Sequence, residues 1–229
     1  MCYDQSTDSG ANAIEVRGLS LRKGEYEVLN EVSFALEKGK FAALVGPSGC
    51  GKTSLLRVLA LLDQPHSGVL RFWGEKAEER HRIPYVGNKR FYPRVTFVPQ
   101  TLALWPHLTL RENALFATDK SAQVHDQLNL LSRQLDVTSV LSRKPLDASQ
   151  GQRQRCALIR ALLLTPTILL LDEITAALDE DLAKNVWALL RAFARDGGSI
   201  LASTHGARLA AACDYSYRIR QKTVIREKS

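Results

Sequence analysis

The sequence predicts an α/β fold: a mixed sheet, an N-terminal antiparallel β layer, and an α-helical subdomain inserted between strands. Three stretches carry that prediction. The apolar run Phe41–Val45 leads into glycine-rich residues 46–54 and then into residues 55–59, where apolar side chains recur at helical spacing. A second apolar run, residues 167–171, ends in the adjacent acids Asp172 and Glu173. Between about residues 102 and 164 the pattern is helical throughout.

With 229 residues the chain is long enough for one large domain or two closely packed subdomains. Residues 1–12 are polar, lack the apolar core of a signal peptide, and read as a disordered tail. No run reaches the roughly 18 apolar residues of a membrane helix; the greasiest region, 157–171, is broken by Arg160, Thr165, Pro166 and Thr167. Cys2, Cys50, Cys156 and Cys213 are scattered, without metal-ligand spacing, as expected of reduced thiols. A net charge of +7 is compatible with an anionic partner, but the charges are spread along the chain and nucleic acid is not expected.

Residues 13–21 alternate like a strand, Lys23-Gly24-Glu25 turns the chain, and residues 28–36 form a second strand. Lys38-Gly39 leads into Phe41–Val45, and these strands before the glycine-rich loop read as antiparallel. A helix is expected over 51–62, a strand over 69–73, a charged excursion over 75–90 and a strand over 94–98. Residues 109–118 and 121–135 read as helices, with Thr109 as a cap of the first and Val124, Leu128, Leu131 and Leu135 on one face of the second. A loop over 146–152 brings Ser149 to cap a helix running through Leu164. After the strand at 167–171, Asp179 caps a helix whose inner side carries Leu182, Val186, Leu189, Leu190 and Phe193, closed by Gly197-Gly198. A strand over 199–203, a short helix over 207–212 and two short strands complete the chain. Strand–helix alternation after Val69 implies a parallel sheet, with active residues at the strands' C-terminal ends.

Gly46-Pro47-Ser48-Gly49-Cys50-Gly51-Lys52-Thr53-Ser54 has the pattern of a phosphate-binding loop, hence a P-loop NTPase core. Its glycines let backbone N–H groups crowd around a polyphosphate, and the following helix points its positive end at the same anion. Lys52 reaches the β- and γ-phosphates of a nucleoside triphosphate and the Thr53 hydroxyl suits Mg²⁺. Asp172, on a neighbouring strand, completes the cation's setting, partly through water. Glu173 is placed to polarise an attacking water.

That loop, Pro99-Gln100, Ser149-Gln150-Gly151-Gln152-Arg153-Gln154-Arg155, Asp172-Glu173, Ala177-Leu178-Asp179 and Ser203-Thr204-His205 come in the order and spacing of an ATP-binding cassette (ABC) transporter ATPase. The resemblance covers about residues 14–226. It implies ATP and Mg²⁺ as ligands, with Gln100 contacting Mg²⁺ or the attacking water and joining the core (13–101 and 165–229) to the helical subdomain (102–164). It implies Glu173 as catalytic base, Asp172 as the Mg²⁺-associated aspartate, and His205 as the switch histidine on the γ-phosphate. Asp179 matches the loop that crosses the dimer interface. Ser149, Gln150, Gly151 and Gln152 match the signature that closes on ATP held by the opposite subunit.

Five positions stand out against the family pattern. The signature usually reads Leu-Ser-Gly-Gly-Gln; here Ala148 and Gln150 replace its leucine and first glycine. Lys23 aligns with the aromatic that stacks on adenine, and Tyr26 either substitutes for it or is an exposed hairpin residue. Ile174 stands where proline is common, and Cys50 places a thiol inside the phosphate loop. By resemblance the partners are an integral membrane permease subunit, docked beside Gln100 around residues 102–116 with Trp105 and Leu108 either as contacts or as core packing, and a second ATPase subunit in a homodimer or heterodimer. The compact length is shared by importers and by several exporters; import is the expected direction, and a substrate-binding protein would then join. The implied location is the cytoplasmic face of the inner membrane, peripheral through the membrane subunit. The rival reading is a soluble cassette ATPase acting on DNA or ribosomes.

Overall fold

The computed structural model describes residues 11–77, 91–175, 178–204 and 212–227. In chain order they form β1 (Asn12–Lys23), β2 (Tyr26–Glu37), β3 (Phe41–Val45), α1 (Lys52–Leu59), β4 (Ser67–Phe72), β5 (Glu75–Lys76) and β6 (Val95–Val98). The helices α2 (Leu110–Leu115), α3 (Ala122–Gln134) and α4 (Gln150–Leu162) follow without an intervening strand. Then come β7 (Ile168–Asp172), α5 (Glu180–Arg195), β8 (Ser199–Thr204), β9 (Tyr215–Arg220) and β10 (Thr223–Glu227).

Two sheets result. The first is antiparallel, in the order β2-β1-β4-β5. The second is mixed, in the order β10-β9-β3-β8-β7-β6, parallel except for the β9–β10 hairpin. β3 therefore corrects the expectation that all strands before the loop are antiparallel. It is buried on both faces and reads as an unbroken apolar run, the mark of a parallel central strand. The strand expected at 69–73 is β4, and it joins the antiparallel sheet by pairing Ile14 with Phe72 and Val16 with Leu70. Alternation along a strand encodes which faces are buried, not which neighbour it pairs with.

Period-two alternation divides the core. Phe41, Ala43, Leu169, Leu171, Ile200 and Ala202 face one way, onto the helices α2 to α5. Ala42, Leu44, Ile168, Leu170 and Leu201 face the other way, onto α1 and the antiparallel sheet.

Three helices differ from expectation at their ends and one in its buried face; α2 stops at Leu115 instead of Thr118. α1 stops at Leu59 instead of Leu62: Leu61 turns left-handed (φ 58°), and the Leu61 and Leu62 amides donate to the Val58 and Arg57 carbonyls. This is a Schellman ending built without glycine. α4 begins at Gln150, inside the expected loop, and ends at Leu162. α5 buries Ala183, Val186, Leu190 and Ala194, whereas Leu189 and Phe193 sit at its half-buried margin. The Phe193 ring occupies the space left by Gly198, where an added Cβ would meet it at 2.2 Å. The tail before residue 11, most of the charged excursion and the helix over 207–212 except Ala212 lie outside the described residues.

Candidate functional site

The parallel strands deliver their C-terminal ends to one edge of the mixed sheet. From β3 the chain enters the loop 46–54, in which Pro47, Ser48 and Gly49 are exposed and Cys50 and Ser54 half-buried. A Cβ on Gly46 would lie 2.7 Å from Cys50 Sγ and 3.1 Å from the Ile219 carbonyl. Gly51 caps α1 with φ 109°, and a Cβ there would lie 2.7 Å from Val28 Cγ1. Both positions thus demand glycine for close approach of the backbone. Lys52, buried at the first position of α1, turns back over the loop and donates to the Gly46 and Pro47 carbonyls at 2.8 and 3.1 Å.

Asp172 ends β7 and is 1% exposed. Its Oδ2 accepts from the Thr53 hydroxyl at 2.8 Å and its Oδ1 from the Ser203 hydroxyl at 2.5 Å. Register explains the second bond, since Asp172 and Ser203 are cross-strand partners between β7 and β8. Glu173 follows in a left-handed conformation (φ 53°), held by donation of its N–H to Ser203 Oγ at 3.1 Å. Its Oε2 accepts from Gln100 Nε2 at 3.0 Å, and its Oε1 lies 3.9 Å from Lys52 Nζ. Lys52, Thr53, Asp172, Glu173 and Gln100 are therefore one connected group, and Ser203 is its organising hydroxyl. Ser203 stands out in the sequence only as a neighbour of His205; its place opposite Asp172 is a register fact that no local pattern encodes. His205 lies outside the described residues.

The chemistry of this group fits a hard divalent cation beside a polyphosphate. Thr53 and Asp172 bring two oxygen ligands together, 2.8 Å apart, of the hard type Mg²⁺ prefers.

The remaining candidate residues lie elsewhere. Ser149 caps α4 in a capping box: Gln152 N–H donates to Ser149 Oγ at 3.2 Å and Ser149 N–H to Gln152 Oε1 at 2.9 Å. The Ser-x-x-Gln spacing announces that box in the sequence. Gln150 is exposed at the first helical position, and the Gly151 carbonyl accepts from Arg155 Nε at 3.2 Å. These bonds close within α4 itself. Asp179 caps α5, accepting from Leu182 N–H at 2.9 Å. Tyr26 opens β2, 66% exposed, with Lys222 Nζ 5.6 Å from its ring centroid. Trp105 is exposed and packs on Phe116 at 5.5 Å, while Leu108 is half-buried. Burial pushes the Cys156 and Cys213 thiols up to about 12, so neither is a nucleophile near neutral pH.

Comparison with known proteins agrees with this arrangement. The family model described as ABC transporter matches residues 29–176. The chain is 40% identical over 186 residues to a sulfate/thiosulfate import ATP-binding protein of Pectobacterium atrosepticum, covering 76% of this chain and 53% of that protein. It thus spans about half the length of that relative. It is 33% identical over 207 residues to the octopine permease ATP-binding protein P of Rhizobium meliloti, covering 84% of this chain and 78% of the other. Among solved structures, the dimeric post-hydrolysis cassette MJ0796 bound to ADP and phosphate superposes with TM-score 0.84 at 26% identity, over 94% of this chain and 98% of the other. A glycine loop wired to two strand-end acids, within a family match spanning most of the chain, leaves one conclusion: this chain belongs to the ABC transporter family.

Proposed function

We propose that the chain is the ATP-hydrolysing subunit of an ABC transporter, coupling MgATP binding and hydrolysis at a dimer interface to transport by a separate membrane subunit. The observation that carries this reading is the position of the Glu173 carboxylate, between the Gln100 carboxamide and the Lys52 ammonium and one residue from the Thr53–Asp172 pair. In the proposed reaction Lys52 exchanges its loop carbonyls for β- and γ-phosphate oxygens of ATP. Gln100 orients a water, Glu173 takes its proton, and the water oxygen forms the new bond to the γ-phosphorus as the bond to the ADP oxygen breaks. Thr53 and Asp172 would hold Mg²⁺, which when bound neutralises charge on the β- and γ-phosphates. His205 takes the γ-phosphate contact implied by its place in the sequence.

A second ATPase subunit would complete each site by bringing Ser149, Gln150, Gly151 and Gln152 onto ATP held by Lys52 of its partner, with Asp179 crossing between the two. The helical stretch 102–164 would act as a subdomain moving against the core, with Trp105 and Leu108 facing a membrane permease subunit. No helix of the described residues is long and apolar enough to cross a membrane. Attachment to the cytoplasmic face of the inner membrane would run through that permease. The relatives named above favour transport over action on DNA or ribosomes, and import over export, with a substrate-binding protein as a further partner.

The test is Glu173→Gln in the assembled complex. Carboxamide for carboxylate keeps the shape and the contact with Gln100 but removes the base. ATP binding should persist, turnover should fall by roughly 100-fold or more, and ATP should trap a dimer on gel filtration. Brisk hydrolysis by this variant would refute the assignment.

A further inference from the structure

The segment after Gln100 carries backbone strain. Leu102 and Ala103 are consecutive non-glycine residues in the left-handed region, with φ 62° and 45°. Neither side chain favours that conformation, and Ala103 is exposed, so packing of its side chain does not hold it there. The backbone turn is accompanied by Leu102 N–H donating to the Pro99 carbonyl at 2.9 Å and Ala103 N–H donating to the Thr101 carbonyl at 2.8 Å. Left-handed geometry turns the two carbonyls towards α4, where one side chain takes both. Arg160 donates from Nη1 to the Ala103 carbonyl and from Nη2 to the Leu102 carbonyl, each at 2.7 Å. The planar fork of a guanidinium suits two adjacent oxygens, and lysine cannot reproduce it.

We infer that Arg160 is a positioning residue for the hydrolytic reaction: its two-pronged hold on Leu102 and Ala103 keeps Gln100 against Glu173. The inference rests on the proposed hydrolytic role of Gln100 and Glu173. Gln100 lies two residues before the clamped pair, and without the clamp the strained backbone relaxes and carries the carboxamide off the acid. Arg160 also lies about three turns along α4 from Ser149. The loop bearing Gln100 is thereby fastened to the helix that bears the signature, rather than only to β6.

Arg160→Lys tests this in the complex assembled with its membrane subunit. The kcat for ATP should fall by roughly ten- to a hundredfold, while KM for ATP stays within about twofold because the phosphate loop is held on β3 and α1. Ala103→Gly in the Arg160→Lys background should recover part of the loss, since glycine adopts the left-handed turn without strain. In a Gln100→Ala background, Arg160→Lys should cost little more, because the two act through one contact. A lowered melting temperature with unchanged kcat, or losses that add in full with Gln100→Ala, would overturn the inference. Amide exchange over residues 100–104 provides a readout without turnover: faster exchange in Arg160→Lys supports the clamp, and unchanged exchange overturns it. Failure of the wild-type complex to hydrolyse ATP would instead count against the proposed function.

Discussion

Gln100 donates its carboxamide to the Glu173 carboxylate at 3.0 Å although 73 residues separate the two. Each stands just past the end of a parallel strand, β6 for the amide and β7 for the acid, and those strands are neighbours in the sheet. The contact places a neutral donor and a carboxylate around the space next to Lys52.

Ser203 joins the two acids. Its hydroxyl donates to the buried Asp172 and accepts from the Glu173 N–H. Ser203→Ala strands both, so the variant should lose about 1–3 kcal/mol of stability in urea denaturation and need more Mg²⁺ for half-maximal ATPase. A stability change within about 0.5 kcal/mol would show that the two acids hold their positions without it.

Cys50 should be the thiol of the folded core that alkylates at pH 8. It is half-buried in the glycine-rich loop 46–54, whereas burial pushes Cys156 and Cys213 up to about 12. With Cys2 changed to serine, mass spectrometry should find the label on Cys50, MgATP should slow its attachment, and labelled protein should no longer bind ATP. Full activity after confirmed labelling sinks the prediction.

Gln150 stands at the first helical position of α4, where the family usually has glycine. In the proposed dimer its side chain would crowd the amides that the start of α4 offers to the partner's ATP. Gln150→Gly should raise turnover of the assembled complex by roughly fivefold, the equivalent of about 1 kcal/mol of anion–amide interaction. An unchanged or lower rate counts against the crowding.

Tyr26 is exposed at the start of β2 beside Lys222. If the ring stacks on adenine, Tyr26→Ala should raise KM for ATP about five- to tenfold with kcat preserved, in line with about 1 kcal/mol per stacked base. A KM within about twofold of wild type leaves the ring as an ordinary hairpin side chain.

The placing of the glycine-rich loop 46–54 beside the two acids is legible in the sequence because its requirements fall on contiguous residues. A buried parallel strand leaves an unbroken apolar run, and close backbone approach leaves glycine at positions 46 and 51. Ser203 and Arg160 were not legible, because each acts on residues distant in sequence, through strand register in one case and helix packing in the other. The same applies to the sheet that β4 joins. The early end of α1 left no mark either, since leucine rather than glycine takes the left-handed position. The buried face of α5 was read about one residue wide of its centre, because Phe193 fills the space beside Gly198 and lets smaller alanines face the sheet.

The cross-strand pairing of Asp172 with Ser203 also has a kinetic consequence. The acid belongs to the β7–β8 ladder, and the Glu173 amide is tied to the same serine. Amide protons there should exchange with solvent on the timescale of the sheet's own opening rather than that of a breathing loop. Any condition that frees these two acids must first unzip the centre of the molecule, so heating should abolish catalysis and cooperative structure at a single midpoint.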